Sequence, residues 1–91
     1  MEPAEIFQRL LEAKPFTRKL EGVVRVSVAR VLGTVLHVLM EVPGDRVYAY
    51  SFQRTGNDAV VGTIEKSRGD IPMTQDEVAS RLEWLWEISR S

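Results

Sequence analysis

Along the 91 residues of this chain, hydrophobic positions are spaced helically at both ends and alternate in the middle. From Pro3 to Ala13, Ile6, Leu10 and Ala13 recur at i, i+4 and i+7, with Phe7 and Leu11 beside them. That is the apolar stripe of an amphipathic helix. Pro3 suits its first turn, where the N–H that proline lacks would be unpaired anyway. Pro15 ends it by pushing Lys14 out of the α region.

The middle of the chain reads as four short strands. Gly22, Gly33 and Gly44 lie eleven residues apart and Gly56 follows twelve later, with β-branched runs between them, the spacing of successive antiparallel strands. The first strand is Gly22–Arg30, with Val24, Val26 and Val28 on one face and Val23, Arg25, Ser27 and Ala29 on the other. The second is Thr34–Val42, with Leu36, Val38, Met40 and Val42 opposite Val35, His37, Leu39 and Glu41. Leu32–Gly33 is an unusually apolar link, so a bent continuous strand competes with a turn there. A buried helix over Val28–Met40 competes with both, because periodicity alone does not classify a short apolar run. The valines and the central glycine favour strand. Pro43–Gly44–Asp45 is a tight turn, with proline presetting φ and glycine supplying a positive φ. The third strand, Arg46–Gln53, puts Tyr48, Tyr50 and Phe52 on one face and Val47, Ala49 and Ser51 on the other. A turn at Thr55–Gly56–Asn57–Asp58 leads to the fourth strand, Ala59–Lys66, and Ser67–Met73 reads as a polar loop.

The last segment opens on Thr74-x-x-Glu77, a capping box in which each side chain satisfies an orphan N–H of the other residue. It starts a helix over Gln75–Ser89, with Asp76 and Glu77 at the positive end of its dipole and Arg90 at the negative end. Glu77 and Arg81, at i and i+4, are placed to pair. Val78, Leu82 and Leu85 cluster on this helix, flanked by Ala79 and Trp86 on one side and by Trp84 and Ile88 on the other. The apolar arc spans roughly 220°, where about 100° suffices to seat a helix on one core. Either the first helix or the Ser67–Met73 loop covers the excess, or Trp84, Trp86 and Ile88 meet a partner, for which aromatics are favoured anchors.

Composition narrows the function classes. The chain is 44% hydrophobic and 27% charged, has a formal net charge of −1 and contains no cysteine. Thiol catalysis, cysteine-based metal centres and a disulfide framework are therefore excluded. The length predicts a single domain, residues 1–91, with a thin core. The acidic start, Met1–Glu2–Pro3–Ala4–Glu5, is unlike a signal peptide. The longest apolar stretch, Val31–Met40, is about half the ~20 residues a membrane helix needs, so a cytoplasmic location is expected.

Three sets of residues carry candidate chemistry. Arg18, Lys19, Arg25 and Arg30 fall in a basic segment, Lys14–Arg30, and could serve single-stranded nucleic acid if Tyr48 and Tyr50 formed an exposed stacking row. The slightly acidic chain argues against that reading, because such binding draws on cationic side chains. His37 is the sole histidine, with Arg25 and Gln53 as cross-strand candidates for a small-ligand site. Glu41 lies about 13 Å from it along the strand, too far to orient the ring. No catalytic constellation, calcium-loop spacing, phosphate-cradling motif or cofactor signature is present, and neither a metal site nor a cofactor is expected.

The chain thus reads as α+β, a four-stranded antiparallel meander sheet flanked by an N-terminal and a C-terminal helix. One sheet face, carrying the valines, Leu36, Val38, Met40 and the aromatic row, is expected to pack under one or both helices. The other carries Arg25, Ser27, His37, Glu41, Ala49, Ser51 and Thr63 among valines and Leu39. In element order this is similar to small dimeric secretion-chaperone-type and adaptor domains, an architectural likeness that carries no residues across. The leading expectation is a non-enzymatic protein-interaction module, homodimeric or bound to another protein, with Trp84, Trp86, Ile88 and Leu39 as contact residues. A nucleic-acid-binding domain and a small-ligand domain around His37 are the alternatives.

Overall fold

Two helices cover one face of an antiparallel sheet. A computed structural model describes residues 1–56 and 58–91; Asn57, with its part in the expected turn, and the side chains of Val23 and Val24, with the faces expected for them, lie outside the described residues. The elements are α1 (Pro3–Glu12), β1 (Phe16–Leu20), β2 (Val23–Val31), β3 (Val35–Val42), β4 (Arg46–Arg54), β5 (Val60–Ile64), β6 (Ile71–Pro72) and α2 (Gln75–Ser89). The sheet runs in the order β1-β2-β3-β4-β5-β6, each strand antiparallel to its neighbour.

The α+β class and both helices follow the sequence pattern; the strand number does not. Six strands are present where four were expected. β1 escapes the alternation rule because Thr17, Arg18 and Lys19 interrupt it. Arg18 nevertheless points to the helix side, where its guanidinium lies 5.0 Å from the Phe16 ring centroid and Nη2 donates to Ser89 O at 3.2 Å. It thereby brings a cation to the carbonyl end of α2, where the helix dipole favours one. β6 is two residues long and includes Pro72, as an edge strand tolerates. Its pairing is extended by Met73 N–H donating to Gly62 O at 2.9 Å.

α2 contacts β5 and β1. Gln75 Nε2 donates to Val60 O at its start, and Arg18 meets Ser89 at its end. Fifteen residues span about 22 Å at 1.5 Å each, close to the ~19 Å separating β1 from β5. The expected capping box is formed: Glu77 N–H donates to Thr74 Oγ1 at 3.1 Å, and Thr74 N–H donates to Glu77 Oε1 at 3.0 Å. Hydrogen bonding from the Thr74 backbone N–H, first, and from the Thr74 side chain holds the Glu77 carboxyl below the ordinary carboxylate range. The expected Glu77–Arg81 pair is absent from the ion pairs of the described residues.

The core combines Ile6, Phe7, Leu10 and Leu11 of α1 and Val78, Leu82, Leu85 and Ile88 of α2 with the inward sheet residues Val26, Val28, Leu36, Val38, Tyr50, Phe52 and Val60. Gly62 lets α2 approach β5 closely. A Cβ there would stand 2.6 Å from Met73 Sδ and 3.1 Å from Val78 Cγ2.

The Leu32–Gly33 link is a tight turn, neither a helix nor a continuing strand. Val31 pairs with Val35, Thr34 N–H donates to Val31 O at 3.3 Å, and φ is +55° at Leu32 and +78° at Gly33. Positive φ at both central residues marks the I′-type hairpin, which suits asparagine or glycine at the first position far better than leucine. Leu32 also leaves 91% of its surface in water, so packing offsets none of this strain. Leu32→Asn is expected to stabilise the fold by about 1 kcal/mol, read as a higher denaturant midpoint at an unchanged m-value.

Candidate functional site

The strand register assembles the uncovered sheet face row by row. Val31, Val35, Gln53 and Val61 lie side by side across four strands. The next row is Ala29, His37, Ser51, Thr63 and Pro72. Beyond it come Thr17, Ser27, Leu39 and Ala49, then Arg25, Glu41 and Val47. In the two middle rows His37 and Leu39 stand among the small side chains of Ala29, Ser51, Ser27 and Ala49. Val31, Leu39, Val47 and Val61 are each 41–60% exposed. Among the described residues no helix packs on this side, and every buried sheet side chain belongs to the opposite face.

Three polar contacts cross this face. Arg25 Nη2 donates to both carboxylate oxygens of Glu41, at 2.7 and 2.9 Å. His37 Nε2 lies 3.1 Å from Glu65 Oε1. Thr17 Oγ1 and Ser27 Oγ are 3.2 Å apart. The Arg25–Glu41 and His37–Glu65 contacts are both substantially exposed, and such contacts contribute ~1 kcal/mol or less. They fix side-chain positions on the face more than they hold the fold together.

His37 therefore finds its partner in Glu65. Neither Arg25 nor Gln53 reaches it: Arg25 stands opposite Glu41 and Gln53 opposite Val35 and Val61, whereas His37 stands opposite Ala29 and Ser51. Sequence reasoning missed Glu65 because it follows β5, with its N–H donating to Ala49 O at 2.9 Å, and only the register of two further strands brings it beside His37. Among the described residues, no three His, Asp or Glu side chains group closely enough to hold a metal ion.

The aromatic row faces inward. Tyr50 is only 2% exposed and packs edge-on to Phe52 with centroids 5.6 Å apart; Tyr48, at the open end of the row, is 39% exposed. The paired stacking platform expected of Tyr48 and Tyr50 is thus not formed, because α2 lies over Tyr50. The basic residues are also dispersed. Arg18 and Arg25 lie on opposite faces, Arg25 is neutralised by Glu41, and Lys19 and Arg30 are solvated.

Comparison with known proteins returns no match to any family model, curated protein or solved structure. The geometry alone therefore ranks the contact surfaces. Of the expected contact residues on α2, Ile88 is buried in the core. Trp86 is half-buried between the guanidinium groups of Arg9 and Arg90, 5.9 and 5.3 Å from its ring centroid. Trp84 is half-buried and lines a groove beside α2. Leu39 alone of the four lies on the uncovered sheet face, near its centre. Among the described residues, no helix is long and apolar enough to cross a membrane.

Proposed function

We propose that this protein is a self-associating interaction domain, a homodimer formed by packing the uncovered sheet faces of two copies against each other. The observation that carries this reading is that the register places Val31, Val35, Val61, Ala29, Leu39, Ala49 and Val47 on one face, several of them exposed, with every buried sheet side chain on the other. Exposed apolar patches of more than a few hundred Å² are uncommon on monomers and mark contact surfaces.

The occupant best matched to the face is a second copy. Six strands averaging about six residues make a surface of roughly 24 by 21 Å. Two copies would bury on the order of 1,000 Å², at the lower bound for a specific interface. Charge is self-complementary as well. Arg25–Glu41 places a cation and a carboxylate side by side on the face, so a two-fold axis can set each Arg25 near the Glu41 of the other copy. Small side chains in the middle rows allow the ~10 Å approach of packed sheets.

Sedimentation equilibrium over a range of concentrations tests the reading. The wild type is expected to dimerise in the micromolar range. Leu39→Glu is expected to weaken dimerisation at least tenfold while leaving thermal unfolding of the monomer nearly unchanged. Trp84→Ala, on the helix side, is expected to leave the dimer intact. A wild type that stays monomeric at high concentration, or a Leu39→Glu variant that dimerises normally, would overturn the proposal.

A further inference from the structure

The helix side of the sheet carries an open groove that the dimer does not use. It lies between α2 and strands β3 to β5 and has two lobes, of about 420 and 310 Å³. Met40, Tyr50 and Arg81 line both. Small-ligand sites have this size range and this predominantly apolar lining with a few convergent polar groups.

Two buried or half-buried polar groups on the groove lack the partners such groups normally have, and an exposed lysine stands beside them. The Tyr50 hydroxyl is buried and makes no hydrogen bond, although buried hydroxyls are nearly always paired. Burial raises its pKa; the charge of Arg81 and a loose side-chain contact with it, outside hydrogen-bond geometry, only partly oppose that. Arg81 is half-buried, sits 5.0 Å from the Tyr50 ring centroid, and has no carboxylate partner among the described residues. Lys66 lies 5.8 Å from the Tyr48 ring centroid and also lacks a carboxylate partner there. Glu77 lines the larger lobe, but its carboxylate already accepts from Thr74 N–H. The smaller lobe has both cations and no acidic residue in its lining.

We propose that this groove binds a small amphipathic carboxylate. Its anionic head would lie among Arg81, Lys66 and the Tyr50 hydroxyl, and its apolar body would run along Met40, Ile64 and Trp84. The arrangement suits this chemistry on three counts. A carboxylate accepts from a guanidinium, an ammonium and a phenol at once. The apolar lining removes a short hydrocarbon chain or ring from water. A cationic ligand would meet two positive charges and find Glu77 already engaged.

Isothermal titration calorimetry with octanoate and phenylpropionate, beside acetate, octanol and octylammonium, tests the assignment. Saturable one-to-one binding is expected for octanoate or phenylpropionate. Acetate, which lacks the apolar body, and octylammonium, which reverses the charge, are expected to bind at least tenfold more weakly. Octanol should fall between them. Arg81→Met should weaken carboxylate binding about tenfold, with Arg81→Lys restoring part of it. Tyr50→Phe should weaken it several-fold while raising the unfolding temperature, which separates lost recognition from lost structure. Leu39→Glu, on the opposite face, should leave it unchanged, so the groove and the dimer can fail independently. Absence of saturable binding by both carboxylates, equal affinity for octanoate and octylammonium, or unchanged affinity in both Arg81→Met and Tyr50→Phe would overturn the proposal.

Discussion

Leu82→Ala is expected to remove about 3–4 kcal/mol of folding stability, measured as a fall in the denaturant midpoint at constant m-value. Leu82 is fully buried on the face of α2 that meets the sheet, among a core that includes Val78, Leu85, Phe52 and Val60. Truncation loses the transfer free energy of the side chain and leaves a cavity, and rigid neighbours on a sheet collapse into it only partly. A domain of this length has a total stability of roughly 5–14 kcal/mol, so the variant sits close to unfolding. The same substitution across the arc of α2 gives a graded series. Ile88→Ala, at the rim of the core, should cost about 2–3 kcal/mol, and Trp84→Ala, half-exposed on the groove, less than either. Equal losses at Leu82 and Trp84 would show that α2 is seated on a different face.

Tyr50→Phe is expected to stabilise the protein by about 2 kcal/mol. The ring keeps its packing against Phe52, while a buried hydroxyl without a hydrogen bond is removed. In a domain of this size, 1 kcal/mol moves the unfolding temperature by about 4–8 °C, so differential scanning calorimetry resolves the effect easily. The pH dependence adds a second readout. Burial, the largest influence on this phenol, holds its folded-state pKa above the ordinary value of 10.0. As pH rises past that value the unfolded chain loses the phenolic proton first. The unfolded state then binds fewer protons than the folded one, and stability falls with rising pH. The gap between Tyr50→Phe and the wild type should therefore widen above pH 10 and be constant below it. A destabilised Tyr50→Phe would mean that the hydroxyl is satisfied in the free protein, and would remove one support of the carboxylate site. A polar group kept at such a cost is what a binding site, rather than a core, retains.

Much of the fold was legible because its elements obey local rules. α2 begins where Thr74 and Glu77 form the box and ends at Ser89, as read. β2 to β5 follow the alternation of Val26 and Val28, Leu36 and Val38, and Tyr50 and Phe52, with ends shifted by one or two residues. β1 was not legible. Its alternation hides an arginine on the inward face, and that position is tolerable only because the end of α2 offers Ser89 O across 71 residues of chain. β6 is too short to carry any pattern and exists because β5 supplies a pairing edge.

The candidate sites were legible in part. Leu39 was singled out and lies on the uncovered face, whereas Ile88 was singled out and is in the core. Hydrophobicity shows that a side chain leaves water, not which neighbour removes it, and the wide arc of α2 is shared by the sheet, α1 and the groove. Tyr50 and Arg81 carry the groove, and no local spacing joins them. Residues 31 apart in the chain meet only because α2 crosses β4.

The chain by itself determined both helices, the four central strands and their two faces, the capping box of α2 and the exclusion of thiol chemistry, since each rests on composition or on contacts within a few residues. Tertiary structure alone decided that both helices cover the same face and leave the other bare. It also paired His37 with Glu65 and closed Arg81 over Tyr50. Those outcomes depend on register and on the crossing of packed elements, which long-range burial sets and no short window of sequence contains.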